Sequence, residues 1–203
     1  MLPTLPQAKI LFDFITSKTD DINEKMGLPR GISKEHYQTV AFVAATIAEA
    51  CDFDIHKAFL LGLFHDYGEY IEDTVPNTFH GTAGYDEMMK KGFDEIARVC
   101  LTHSFVDNDF SPDNYVSYEP KELKRAESII KEMNLNDYDY LIQLADTMSA
   151  ANKIVRAEQR LDMLAKKYNI KKEAVEKKKK ASAKLKAYFD KKSNKDIYNL
   201  FEI

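Results

Sequence analysis

All seven glycines and all six prolines of this 203-residue chain lie in residues 1–120, leaving 83 consecutive residues free of both strong helix breakers. That C-terminal stretch is rich in Ala, Lys, Glu and Leu, which lose little conformational freedom on entering a helix. The pattern predicts helices over about 6–25, 34–51, 55–72, 82–91, 93–104, 120–133, 137–167, 171–191 and 195–202. Punctuation agrees: Gly27 and Pro29 end the first, Gly92 ends the fourth and Pro120 opens the sixth. No segment alternates as a strand would, and no internal repeat is present. The expectation is an all-α bundle, one helical domain over residues 1–203 with its core at about 30–165. The longest irregular stretch, Phe105 to Glu119, is rich in Asp, Asn, Ser and Pro. A loop of about 15 residues in a compact domain is usually functional or mobile, so it reads as a lid or as an exposed connector.

Composition narrows the class. Apolar residues at 44% and charged residues at 31% describe an ordinary globular chain. No apolar run approaches the roughly 20 residues of a membrane-spanning helix. The N-terminus, Met1 to Pro6, has no basic region ahead of an apolar core, so no signal peptide is expected. Cys51 and Cys100 are too few for a disulfide framework and read as buried free thiols in a reducing cytoplasm. Residues 151–203 carry 16 Lys and Arg against 7 Asp and Glu, a balance of +9, so residues 1–150 hold −13 of the net −4. A basic segment can serve nucleic acid. Lys177 to Lys180, however, come without interleaved aromatics, and a solvated helix face is the better reading.

Four of the five histidines fall in an ordered series with two aspartates: His36, the pair His65-Asp66, His80, His103 and Asp146. Neutral imidazole and carboxylate together suit divalent metals such as Mn, Fe, Co or Zn. A lone helical His is more often a satisfied core residue than a ligand. Here several candidates sit on apolar segments, where a polar group needs a partner. His36 shares a helical face with Val40, Val43 and Ile47, behind Ser33 as a candidate N-cap. His65-Asp66 ends the run Ala58 to Phe64, His103 closes Ile96 to Thr102, and Asp146 lies in the apolar helix from Tyr140. Only His80 sits in an evident loop. His56, near a helix start, reads as structural.

These positions resemble the HD superfamily of metal-dependent phosphohydrolases, whose signature H…HD…D is matched by His36, His65-Asp66 and Asp146. His80 and His103 resemble the branch with two metals, in the order H…HD…H…H…D, which includes symmetric dinucleoside-tetraphosphate hydrolases. The resemblance covers roughly residues 30 to 165. It implies two divalent ions (Fe, Mn, Co, Zn or Mg), bridged by Asp66, with His36, His65 and Asp146 around one and His80 and His103 around the other. It implies a small phosphorylated substrate such as a nucleotide, attacked by water that the metals activate. One departure stands out. Glu69, three residues after Asp66, resembles the acid of one-metal HD nucleotidases, so a 5′-nucleotidase-like phosphomonoesterase is the alternative. A non-catalytic metal- or nucleotide-binding regulator is the rival from another class. If 137–167 is one helix, Lys153 and Arg160 fall on the face of Asp146, about 10 Å and about 21 Å along it. Both then become candidate phosphate contacts, and Arg30, six residues before His36, is a third. Nothing in these residues fixes an oligomeric state.

Overall fold

The third helix shows how the chain builds its centre. The computed structural model describes residues 1–26, 34–75, 77–106, 108–111 and 118–203. In it α1 spans Leu5–Met26, α2 Lys34–Ala50 and α3 Ile55–Phe64. Six of α3's ten residues are buried, from Ala58 to Phe64, and Asp54 caps its start by accepting from the Lys57 backbone N–H at 2.9 Å. It crosses α2 at Gly62, where a Cβ would lie 2.8 Å from Ala41 Cα. That approach seals Val40, Val43, Ala44 and Ile47 against Leu60, Leu61 and Phe64 in the main core.

The remaining elements wrap this pair. They are α4 Glu69–Glu72, α5 His80–Lys90, α6 Asp94–Thr102, α7 Pro120–Glu132, α8 Asp137–Thr147, α9 Ala157–Tyr168, α10 Lys172–Ser193 and a terminal 3-10 turn Ile197–Phe201. A smaller core of Phe79, Leu101, Phe105, Leu123, Ala126 and Ile130 holds α7 against α5 and α6. The expected all-α bundle is therefore what forms. Among the described residues, no helix is long and apolar enough to cross a membrane.

Three expected boundaries need correction. The helix expected over 55–72 is two: α3 stops at Phe64, residues 65–68 form a turn, and α4 restarts at Glu69. The helix expected over 137–167 also breaks. After Thr147 the chain forms a hairpin of β1 Ser149–Ala150 and β2 Lys153–Ile154, antiparallel, pairing Ser149 with Ile154 and Ala150 with Lys153. The break needs no glycine or proline: Ala151 adopts a left-handed φ of 53° at the hairpin tip. Thr147 Oγ1 and Ser149 Oγ bond back to the carbonyls of Gln143 and Ala145. Asn169 and Asn194 likewise end α9 and α10 in left-handed caps, the role glycine usually takes. Finally, α5 begins at His80, two residues before the expected start, so His80 opens a helix instead of lying in a loop.

Candidate metal centre

Five helix ends meet at Asp66. His36 comes from the first turn of α2, His65 and Asp66 from the turn after α3, and His80 from the start of α5. His103 follows the last residue of α6, and Asp146 comes from the last turn of α8. Asp66 Oδ1 lies 2.9 Å from His103 Nε2 and 3.6 Å from His80 Nε2. Its Oδ2 lies 3.0 Å from His65 Nε2 and 3.5 Å from His36 Nε2. Asp146 Oδ1 closes the second side, 3.3 Å from His36 Nε2 and 3.7 Å from His65 Nε2. One carboxylate thus serves two triads, His36-His65-Asp66 and Asp66-His80-His103, each with its ligand atoms within 4.8 Å of one another. His36, His65, Asp66 and His103 are buried, while Asp146 is half-buried.

Hydrogen bonds on the far side of the rings decide what these nitrogens offer. His65 Nδ1 donates to the Gly62 carbonyl at 2.8 Å, and His103 Nδ1 donates to the Val99 carbonyl at 3.0 Å. A carbonyl only accepts, so Nδ1 carries the proton and the neutral ring leaves Nε2 as a bare lone pair. His80 Nδ1 is held 2.7 Å from Glu72 Oε2, the carboxylate–imidazole pairing that orients metal-binding histidines. A bare Nε2 about 3 Å from a carboxylate oxygen sets lone pair against lone pair, unless a proton or a metal ion lies between them. His36 Nδ1 and His65 Nε2 are buried with no hydrogen-bond partner. Such orphans cost about 1–3 kcal/mol each, and a cation held at His65 Nε2 removes one of them. The donor set and its electrostatics fit divalent metal.

Without an ion, protons take its place. Burial pushes the His36 and His65 imidazoles down, but Asp146 and Asp66 outweigh it and hold both above the ordinary value. Burial likewise opposes His80, yet the Glu72 hydrogen bond and the charges of Glu69, Glu72 and Asp66 raise it to about 9. For Asp66 and Asp146 burial favours the neutral acid, and the surrounding imidazoles win, holding both well below the carboxylate range. Glu69 goes the other way. Burial, with Asp66, Glu72 and Asp73 nearby and only partly offset by His80, lifts it to about 8.

The other sequence candidates divide. Glu69 is half-buried at the start of α4 beside the cluster. Lys153 is exposed on β2, and the helical phase that placed it beside Asp146 disappears with the helix. Arg160 is half-buried on α9, its Nε buried without a partner. Arg30 and Ser33 lie outside the described residues, as do residues 107 and 112–117 of the expected lid. Three neighbours escaped the sequence reading. Glu72 grips the His80 ring and its backbone N–H, Ser104 Oγ lies 3.0 Å from His103 Nε2, and the Tyr118 hydroxyl lies 3.3 Å from His80 Nδ1. Glu72 carried one weak signal, its place one helical turn after Glu69; Tyr118 carried none.

A protein-family model described as HD domain matches residues 34–151, more than half of the chain. The span takes in His36, His65, Asp66, His80, His103 and Asp146 and stops short of α9 and α10. Comparison with curated proteins and with solved structures gives no match.

Proposed function

The chain belongs to the HD domain family of metal-dependent phosphohydrolases, and we propose that it cleaves a phosphoanhydride or phosphoester bond of a nucleotide or similar small phosphorylated metabolite. The observation that carries this reading is Asp66, whose two oxygens face two separate histidine pairs. His36, His65, Asp66 and Asp146 would hold one divalent ion, and Asp66, His80 and His103 a second, with Fe, Mn, Co, Zn or Mg as candidates. Such ions supply Lewis acidity toward phosphoryl oxygens and lower the pKa of water.

The chain's own residues do the rest. The Gly62 and Val99 carbonyls fix the tautomers of His65 and His103, and Glu72 fixes His80, so each ring presents Nε2 to the site. Glu69, raised to about 8 in the metal-free chain by its burial and the neighbouring acids, is the candidate to give a proton to a leaving oxygen. Tyr118 keeps its phenolic proton because burial and the acids Glu72, Glu69 and Asp66 raise it further, so it is a neutral donor at the rim. A nucleotidase-like reaction on a phosphomonoester is the second reading, favoured by Glu69, since an alkoxide leaves with more need of a proton than a phosphate does. Both cysteines are free and buried, which supports a reducing, cytoplasmic setting.

The test is turnover of a panel of phosphorylated metabolites by the metal-loaded protein, alongside Asp66→Ala. The reading expects hydrolysis of at least one compound and its loss in the variant. No hydrolysis by the metal-loaded wild type, or substantial activity in Asp66→Ala, overturns it.

A further inference from the structure

The C-terminal helices lie outside the matched family span, yet they carry polar groups buried against the domain. The core-facing residues of α10 include Val175, Lys178, Ser182 and Phe189, one helical stripe. Lys178 is 8% exposed and Ser182 1%, although their stretch of sequence reads as a solvated basic face. Lysine is almost never so buried without a role for its charge. Lys178 has interactions of its own, so what points to a ligand is its neighbours. Ser182 Oγ and, on the adjoining α9, Arg160 Nε are both buried with no hydrogen-bond partner. Buried polar atoms left this way call for an explanation, and a missing ligand is one.

Contacts along α10 place this group. At its far end Tyr188 and Lys192 bond Asp137, the first residue of α8, and the Tyr188 ring lies 6.2 Å from Tyr140. The pairings run in opposite order, so the two helices are antiparallel. From Asp137 to Asp146 α8 rises about 14 Å, and the same distance back along α10 reaches about residues 179–183. Ser182 is therefore level with Asp146, and Lys178 lies one turn beyond it. There Lys177 bonds Asp109, from the segment that follows His103, at 3.1 Å. Arg160 joins them because α9 runs antiparallel to α10, with Asp162 on Lys179 at 2.6 Å and Glu158 on the Tyr198 hydroxyl at 3.0 Å. The hairpin after α8 thus turns Arg160 back, where a continuous helix would carry it about 21 Å away.

A guanidinium and a hydroxyl at one level, with an ammonium one helical turn away, are the donor set that recognises an oxyanion. We propose that Arg160, Ser182 and Lys178 form a phosphate-recognition subsite beside the Asp146 side of the metal centre, contributed by helices outside the catalytic family core. The subsite takes a phosphate of the substrate and positions it against the histidine–aspartate cluster. This inference rests on the phosphohydrolase reading for its role in turnover, but orthophosphate binding tests it separately.

The experiment uses the full-length, metal-loaded chain and the variants Arg160→Gln, Ser182→Ala and Lys178→Met. Calorimetry with inorganic phosphate is read beside KM and kcat on the best substrate of the panel. Arg160→Gln and Lys178→Met are each expected to weaken phosphate binding and raise KM by about tenfold or more, and Ser182→Ala by about threefold, with helical and metal content unchanged. A kcat that moves much less than KM marks a binding role. Phosphate affinity within about twofold of wild type in folded Arg160→Gln and Ser182→Ala overturns the subsite, and these two decide the matter if Lys178→Met does not fold. A wild type that hydrolyses nothing overturns the phosphohydrolase reading instead, and the phosphate titration still decides the subsite.

Discussion

Gly68 joins the architecture to the metal centre, and replacing it with alanine tests that link. A Cβ at Gly68 would lie 2.0 Å from the His80 carbonyl oxygen and 2.5 Å from Gly84 N, both backbone atoms that cannot rotate away. Ordinary contact needs more than 3 Å, so the start of α5 must retreat by about 1 Å. His80 Nε2 sits 3.6 Å from Asp66 Oδ1 before any such shift, and its Nδ1 is tied to Glu72, so the ring cannot simply follow Asp66. Overpacking of this kind costs about 1–3 kcal/mol. For a chain of this size that lowers the melting temperature by roughly 2–12 °C. Thermal unfolding of the metal-free variant reads the first effect, and metal titration reads the second as weakened binding at the His80 triad with the His36 triad retained. Gly92→Ala is the control: φ is +77° with nothing within 4 Å, so strain costs about 1 kcal/mol and metal binding is untouched. Equal melting temperatures and metal affinities for Gly68→Ala and wild type would refute the claimed approach of α4 to α5.

Three further outcomes follow from single groups. Asp139 is fully buried and takes Arg98 Nε at 2.8 Å, Thr102 Oγ1 at 3.0 Å and the Asn136 N–H at 2.7 Å, so Arg98→Met strands a buried carboxylate. It should cost about 3 kcal/mol in urea unfolding, and a loss below about 1 kcal/mol contradicts this. His80 at about 9 and Glu69 at about 8 both lie above their unfolded values, so each contributes stability that is full at low pH and lost as pH rises through the folded value. Metal-free protein should therefore melt lower at pH 9 than at pH 6.5, and metal should bind more tightly as pH rises across that window; an opposite trend in either would refute it. Glu69→Gln should lower kcat on a phosphomonoester by roughly 10²–10⁴-fold with little change in KM, and an unchanged kcat removes Glu69 from proton transfer.

Most of the cluster was legible because His65-Asp66, His103 and Asp146 stand near the close of apolar helical runs and His36 opens one, settings in which an imidazole or carboxylate needs a partner. His80 rested on the resemblance alone. The order of His36, His65-Asp66, His80, His103 and Asp146 survives folding, since helix ends converge whatever the loops between them do. Lys153 was misplaced for the opposite reason. Its position was inferred by phase along a helix that in fact ends at Thr147 and gives way to a hairpin turning at the left-handed Ala151, and neither glycine nor proline marked the stop. The ends expected at about 167 and 191, by contrast, fall within two residues of those observed before Asn169 and Asn194. Lys178 looked solvated among lysines because local charge says nothing of which face tertiary packing buries. Glu72 and Tyr118 reach His80 across turns and loops, a proximity that spacing along the chain does not encode.

Asp66 is proposed to join two metal sites. Titration of the metal-free chain with a divalent ion such as Mn²⁺, checked by elemental analysis, tests it most directly. Two ions per chain are expected, one after His80→Ala and His103→Ala together, and severe loss of both in Asp66→Ala. A single ion in the wild type, unchanged by removing His80 and His103, would contradict it.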